Sequence, residues 1–136
     1  MDILVTLQQG LPVLAGQFAA TLALLGIGMA CYMALTPFNE WRLVQDGNVA
    51  AGIVVAGTLL ALAMPLAATL ATSFNVLDIV LWGLVALVIQ LATFFAATAL
   101  LRGLRAMIEA GNVAAALVLV GIQLAVALLN AGAMAG

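Results

Sequence analysis

Four long apolar runs separated by short polar breaks dominate the chain, at about residues 11–35, 49–71, 79–101 and 113–134. Each is continuous and rich in Leu, Ala and Val, without the alternation that a barrel strand shows over about 10 residues. A helix needs about 20 apolar residues to cross hydrocarbon, where each backbone N–H and C=O must find its partner within the segment. The pattern predicts four transmembrane helices. Residues Met1–Gly10 read as a short interfacial lead-in or a stub of the first helix.

The polar breaks contain a phrase that occurs twice. Gly47-Asn48-Val49-Ala50-Ala51 returns 64 residues later as Gly111-Asn112-Val113-Ala114-Ala115. Each copy opens an apolar run, which implies a duplicated unit. The expectation is a single integral membrane domain over residues 1–136, all-α, built from two tandem two-helix repeats at about 12–72 and 76–136. Two spans per repeat give parallel rather than inverted topology. Gly47 and Gly111 permit the turn out of each loop, and Asn48 and Asn112 serve as N-caps of the following helices. The rival reading is an anion site at two adjacent helix N-termini. Arg42, Arg102 and Arg105 favour it, and Glu40, Asp46 and Glu109 oppose it.

Composition strengthens the membrane reading. The 136 residues are 68% hydrophobic and 6% charged, against about 25% charged in a soluble domain. The three basic residues, Arg42, Arg102 and Arg105, fall in two breaks on one side of a four-span chain. The positive-inside rule then puts those loops in the cytoplasm and both termini outside. No Lys or Arg precedes Arg42, so the positive n-region of a cleavable signal peptide is missing. Cys31, the single cysteine, is expected to be buried and to pack like Ala. Gly57-x-x-x-Ala61 and Ala127-x-x-x-Ala131, with Gly26, Gly28, Ala30 and Ala34 of the first span, suit close helix packing within or between protomers. Pro65 is expected to kink the second span, and Trp41 and Trp82 to anchor opposite interfaces.

Candidate chemistry is sparse. The chain has no His, and its carboxylates Asp2, Glu40, Asp46, Asp78 and Glu109 fall at loops and ends. No catalytic constellation, phosphate loop or metal cluster appears, so neither an enzyme nor a cofactor is expected. Two amides stand mid-span, Gln90 and Gln123, at similar depth across the second hairpin. They either bond to each other and hold helices together, or line a polar path with Thr93, Thr98 and Asn130. Their counterparts in the first repeat are Gly26 and Leu59, so the two halves differ here.

A wider set of residues resembles a known family. Tyr32-Met33-Ala34-Leu35-Thr36-Pro37-x-x-Glu40-Trp41 leads through Arg42 into Gly47-Asn48-x-Ala50-Ala51. Met64-Pro65-Leu66, Asp78, Trp82-Gly83 and Gln90-Leu91 follow, then Gly111-Asn112-x-Ala114-Ala115 and Leu129-Asn130-Ala131-Gly132-Ala133-Met134. From about residue 12 onward the chain resembles the domain-of-unknown-function 350 family, the YjfL-type bacterial inner-membrane proteins. That resemblance implies four spans in two repeats and an inner-membrane location, and it brings no catalytic residue. The candidate cytoplasmic loop cluster is Thr36, Pro37, Glu40, Arg42, Gly47, Asn48, Gly111 and Asn112. There Pro37 would end the first helix, and Glu40 would pair with Arg42 or Arg105. The expected function is a small membrane component or scaffold acting as a homo-oligomer; the alternative is a channel or transporter subunit with a polar path. Expected partners are membrane lipids, further copies of the chain and a cytoplasmic or envelope protein, but not nucleic acid.

Overall fold

A computed structural model describes residues 2–36 and 39–135, so Pro37 lies outside the described residues. Six helices follow in order: α1 (Ile3–Leu35), α2 (Glu40–Gln45), α3 (Val49–Thr72), α4 (Val76–Leu100), α5 (Leu104–Glu109) and α6 (Val113–Ala135). The chain is all-helical among the described residues, and α1, α3, α4 and α6 are each long and apolar enough to cross a membrane. At about 1.5 Å per residue, α3, α4 and α6 span about 35 Å, close to a bilayer core of about 30 Å. With 33 residues, α1 is longer by about two turns and projects past the bundle at its N-terminal end.

Helix starts follow polar caps rather than the edge of each apolar run. Asp2 accepts from the Leu4 N–H at 3.1 Å, so α1 begins at Ile3 and absorbs the lead-in expected before Leu11. Asn75 accepts from the Asp78 N–H at 3.0 Å and starts α4 at Val76. The loops that carry Arg42 and Arg105 fold into one-and-a-half-turn helices. They form because Leu43 and Val44 of α2, and Leu104 and Ile108 of α5, pack onto the core. Pro65 sits inside α3, which continues as one helix to Thr72, and Pro12 is similarly carried within α1. The Thr69 hydroxyl donates to the Pro65 carbonyl at 3.0 Å just beyond.

The two Gly-Asn turns have the same local geometry. Gly47 and Gly111 have φ of 82° and 80°, a left-handed conformation open to Gly at little cost. The N–H of Asn48 reaches the Leu43 carbonyl and that of Asn112 the Met107 carbonyl, each at 2.9 Å. The Asn48 side chain then accepts from the Ala51 N–H at 3.0 Å, and Asn112 from the Ala115 N–H at 3.2 Å.

The centre of the bundle is the parallel pair α3 and α6, which make the most extensive contact in the protein; α1 and α4 flank them. Gly57 lets the α3 backbone approach Val120, and Ala61 and Ala127 are buried in the same region. The small residues of these two spans thus pack within one protomer. In a membrane this close approach matters because lipid is as apolar as the protein, and tight packing supplies the attraction. By contrast α1 buries only the stripe Leu24, Gly28 and Tyr32, spaced four residues apart along one face. Gly26, Ala30 and Ala34 lie off that stripe and are exposed. Cys31 is exposed too, contrary to the expected core position, because it precedes Tyr32 by one residue and so points about 100° away.

Candidate functional site: a buried polar chain

Five polar side chains are buried in a continuous series from the loop end of the bundle towards its middle. Glu40, the first residue of α2, is 2% exposed. Asn39 caps α2 through the Arg42 N–H at 3.1 Å, and this turns Glu40 inward under the end of α1. The Tyr32 hydroxyl donates to Glu40 Oε1 at 2.5 Å. Tyr32 is held by an edge-on contact with Phe94 of α4, their ring centroids 4.6 Å apart. Thr58 of α3 is buried next along the series. Its own hydroxyl donates to Gln123 Oε1 of α6 at 3.0 Å. Gln90 Nε2 of α4 donates to the Gln123 backbone carbonyl at 3.4 Å. All four long helices contribute to this series.

Glu40 therefore pairs with Tyr32, not with Arg42 or Arg105. Arg42 is exposed, and Arg105 pairs with Glu109 at 3.0 Å on the surface of α5. Glu40 Oε2 and Gln90 Oε1 are buried without a hydrogen-bond partner. Burial pushes the Glu40 carboxyl up to about 7, against the opposing pull of the Tyr32 hydrogen bond. The group can hold or release one proton near neutrality. Beyond Tyr32 and Thr58 the series ends on amides, which accept and donate hydrogen bonds without relaying a proton.

The two glutamines do not pair side chain to side chain. Gln123 uses its amide on Thr58, and Gln90 reaches only the backbone of Gln123. Thr93 and Thr98 stand apart, their hydroxyls donating to the Ile89 and Phe95 carbonyls of their own helix. Asn130 is 8% exposed and lies two turns beyond Gln123. Between those levels Leu24, Leu62, Leu87 and Ala127 are buried, so an apolar layer interrupts the polar residues.

At the loop end, Thr36 donates to the Tyr32 carbonyl at 2.8 Å and closes α1. Asn48 does more than cap α3: its Nδ2 donates to the Ile108 carbonyl at 2.8 Å and the Glu109 carbonyl at 3.3 Å. It thereby ties the first Gly-Asn turn to α5, an arrangement that leaves its amide committed to protein rather than to an anion. Asn112 caps α6 and serves no such tie. Replacing Asn48 with Ala is expected to cost about 2 kcal/mol, the cap plus the cross-bonds, and Asn112→Ala about 1 kcal/mol. Thermal melting of the two variants in the same detergent measures this, and equal losses would contradict the tie.

Tyr32 and Thr58 were not among the expected site residues. Tyr32 is the single tyrosine of the chain and stands eight residues before Glu40, a usable signal. Thr58 adjoins Leu59, which stands 64 residues before Gln123, and no pattern distinguishes it from other span threonines.

The chain is similar to known membrane proteins along most of its length. The family model described as Domain of Unknown Function (DUF350) matches residues 6–134, beginning earlier than the resemblance read from motifs alone. The chain is 33% identical over 117 residues to the UPF0719 inner membrane protein YjfL of Escherichia coli (strain K12), covering 86% of this chain and 89% of that protein. The corresponding protein of Escherichia coli O157:H7 matches to the same extent. No solved structure matches. With four membrane-spanning helices and a match over nearly its whole length, the chain belongs to the DUF350 family of polytopic membrane proteins.

Proposed function

We propose that the protein is a structural membrane component that works as a homo-oligomer, its copies meeting along α1. The observation that carries this is the N-terminal half of α1, which runs past the bundle and leaves uncovered the face that Leu24, Gly28 and Tyr32 bury further along. Thr6, Gln9, Val13 and Gln17 recur there at helical spacing, with Gly10 and Leu14 beside them. A second copy's helix laid along this strip would cover its apolar residues and pair its amides. The small-residue seam between α3 and α6 is already used inside the protomer, which leaves α1 as the helix with an open face. A polar route through one protomer is disfavoured by the layer of Leu24, Leu62, Leu87 and Ala127. The role proposed is assembly rather than catalysis. The two helix–loop–helix halves are read as parallel repeats, with the Arg-bearing loops cytoplasmic and the start of α1 outside.

One engineered thiol tests both the contact and the orientation. In a Cys31→Ala background, Thr6→Cys is expected to form disulfide-linked dimers under mild oxidation of membranes. A membrane-impermeant thiol reagent added from outside should block them. Gln9→Leu with Gln17→Leu should lower the cross-linked fraction about tenfold, the ratio expected when one or two interhelical amide bonds are lost. Absence of cross-linked dimers would overturn the assembly reading, and protection from the reagent would overturn the orientation.

A further inference from the structure

We propose that the cavity at the end of the bundle carrying both termini binds a phospholipid with a cationic amine headgroup. The cavity measures about 650 Å³ and lies among α3, α4 and α6. Trp82, Val85 and Ile89 form one wall, and all three are exposed on α4, so the cavity opens sideways towards the membrane. Deep in it stands Asn130, more than nine-tenths buried, whose Nδ2 has no hydrogen-bond partner. A buried amide donor left unpaired in hydrocarbon is costly, and a carbonyl from a bound molecule would satisfy it.

The rim supplies the second half of the recognition. Thr72 and Ser73 line it with hydroxyls, and Asp78 is the one charged residue among those lining the cavity. Arg42, Arg102 and Arg105 all lie at the opposite end of the bundle. The rim therefore repels a headgroup of net negative charge and attracts an ammonium. Asn130 lies five residues from the end of α6 at Ala135, about 7 Å into the bundle. That depth is close to the thickness of one headgroup layer, about 5–7 Å, and is where glycerol ester carbonyls sit. A zwitterionic aminophospholipid matches each element. Its ammonium faces Asp78, its phosphate accepts from the Ser73 hydroxyl while Thr72 donates to the Ala68 carbonyl, an ester carbonyl accepts from Asn130 Nδ2, and an acyl chain runs along Trp82, Val85 and Ile89.

The chain has two tryptophans, so Trp41→Phe leaves Trp82 as the sole reporter inside the cavity. The protein is reconstituted in vesicles of phosphatidylcholine containing equal fractions of either brominated phosphatidylethanolamine or brominated phosphatidylglycerol. Trp82 quenching is expected to give the ethanolamine lipid a relative affinity about fivefold higher, the ratio one interfacial ion pair supplies. Asp78→Asn should remove that preference, and Asn130→Leu should weaken quenching by both lipids. Asp78→Asn carries the decision if Asn130→Leu fails to fold. Equal quenching by the two lipids in the parent protein, or a preference that survives Asp78→Asn, overturns the proposal.

Discussion

Gly57→Ala is expected to destabilise the protein by about 2–3 kcal/mol, although it adds one methyl group to a helix in a chain rich in alanine. The added carbon would sit 2.9 Å from Val120 Cβ and closer still to both Val120 γ-methyls. The γ-methyls can rotate away, but Cβ moves only with the α6 backbone. The α3–α6 pair must therefore separate, and this pair is the most extensive contact of the bundle. Val120→Ala in the same chain should recover part of the loss, since the residual contact is then with one carbon. Gly52→Ala is the matched control within α3: nothing lies within 4 Å of its added methyl. It should be neutral, or stabilising by up to about 1 kcal/mol through helix propensity. Unfolding midpoints in one detergent compare the three variants. A Gly57→Ala protein as stable as Gly52→Ala would mean the two helices do not approach as described.

Raising the pH from about 4.5 to about 7 is expected to weaken the fold by about 3 kcal/mol, with Glu40 responsible. Its carboxyl is raised from an ordinary value of 4.5 to about 7 by burial. A raised value means the folded protein holds this proton more tightly than the unfolded chain does. The stabilisation is complete below about 4.5, declines as the pH rises, and is lost once the pH passes about 7. Glu40→Gln keeps an acceptor for the Tyr32 hydroxyl and cannot ionise, so its stability should be flat across the same window. Tyr32→Phe removes the donor to Glu40 Oε1 and leaves both carboxyl oxygens unpaired. Its cost should be about 1–3 kcal/mol, and larger at pH 8 than at pH 5 because the charged form loses more. Parallel slopes for the parent protein and Glu40→Gln would show that some other group titrates.

Much of this architecture was legible because membranes impose simple rules. Continuous apolar runs gave the four spans, and the duplicated Gly-Asn phrase located two turns that share φ values and capping bonds. The interior of the site was harder to read. Glu40 follows Asn39 and precedes Arg42 in a polar break, a context that normally means a solvated loop. Its burial depends on α2 folding back under Tyr32, a tertiary event with no local periodicity. Gln123 was visible as a mid-span amide, but its partner Thr58 comes from another span 65 residues away. Cys31 illustrates the same limit from the other side. In a helix apolar all round, composition does not say which face meets protein, and α1 turns Cys31 outward.

The open face of α1 and the closed seam of α3 with α6 together make assembly the central claim. Light scattering of the purified protein in mild detergent, corrected for bound detergent, measures it most directly. The parent protein should have the mass of two or more whole chains, and Gln9→Leu with Gln17→Leu should shift it towards one chain. A parent protein with the mass of a single chain across a tenfold range of concentration would contradict it.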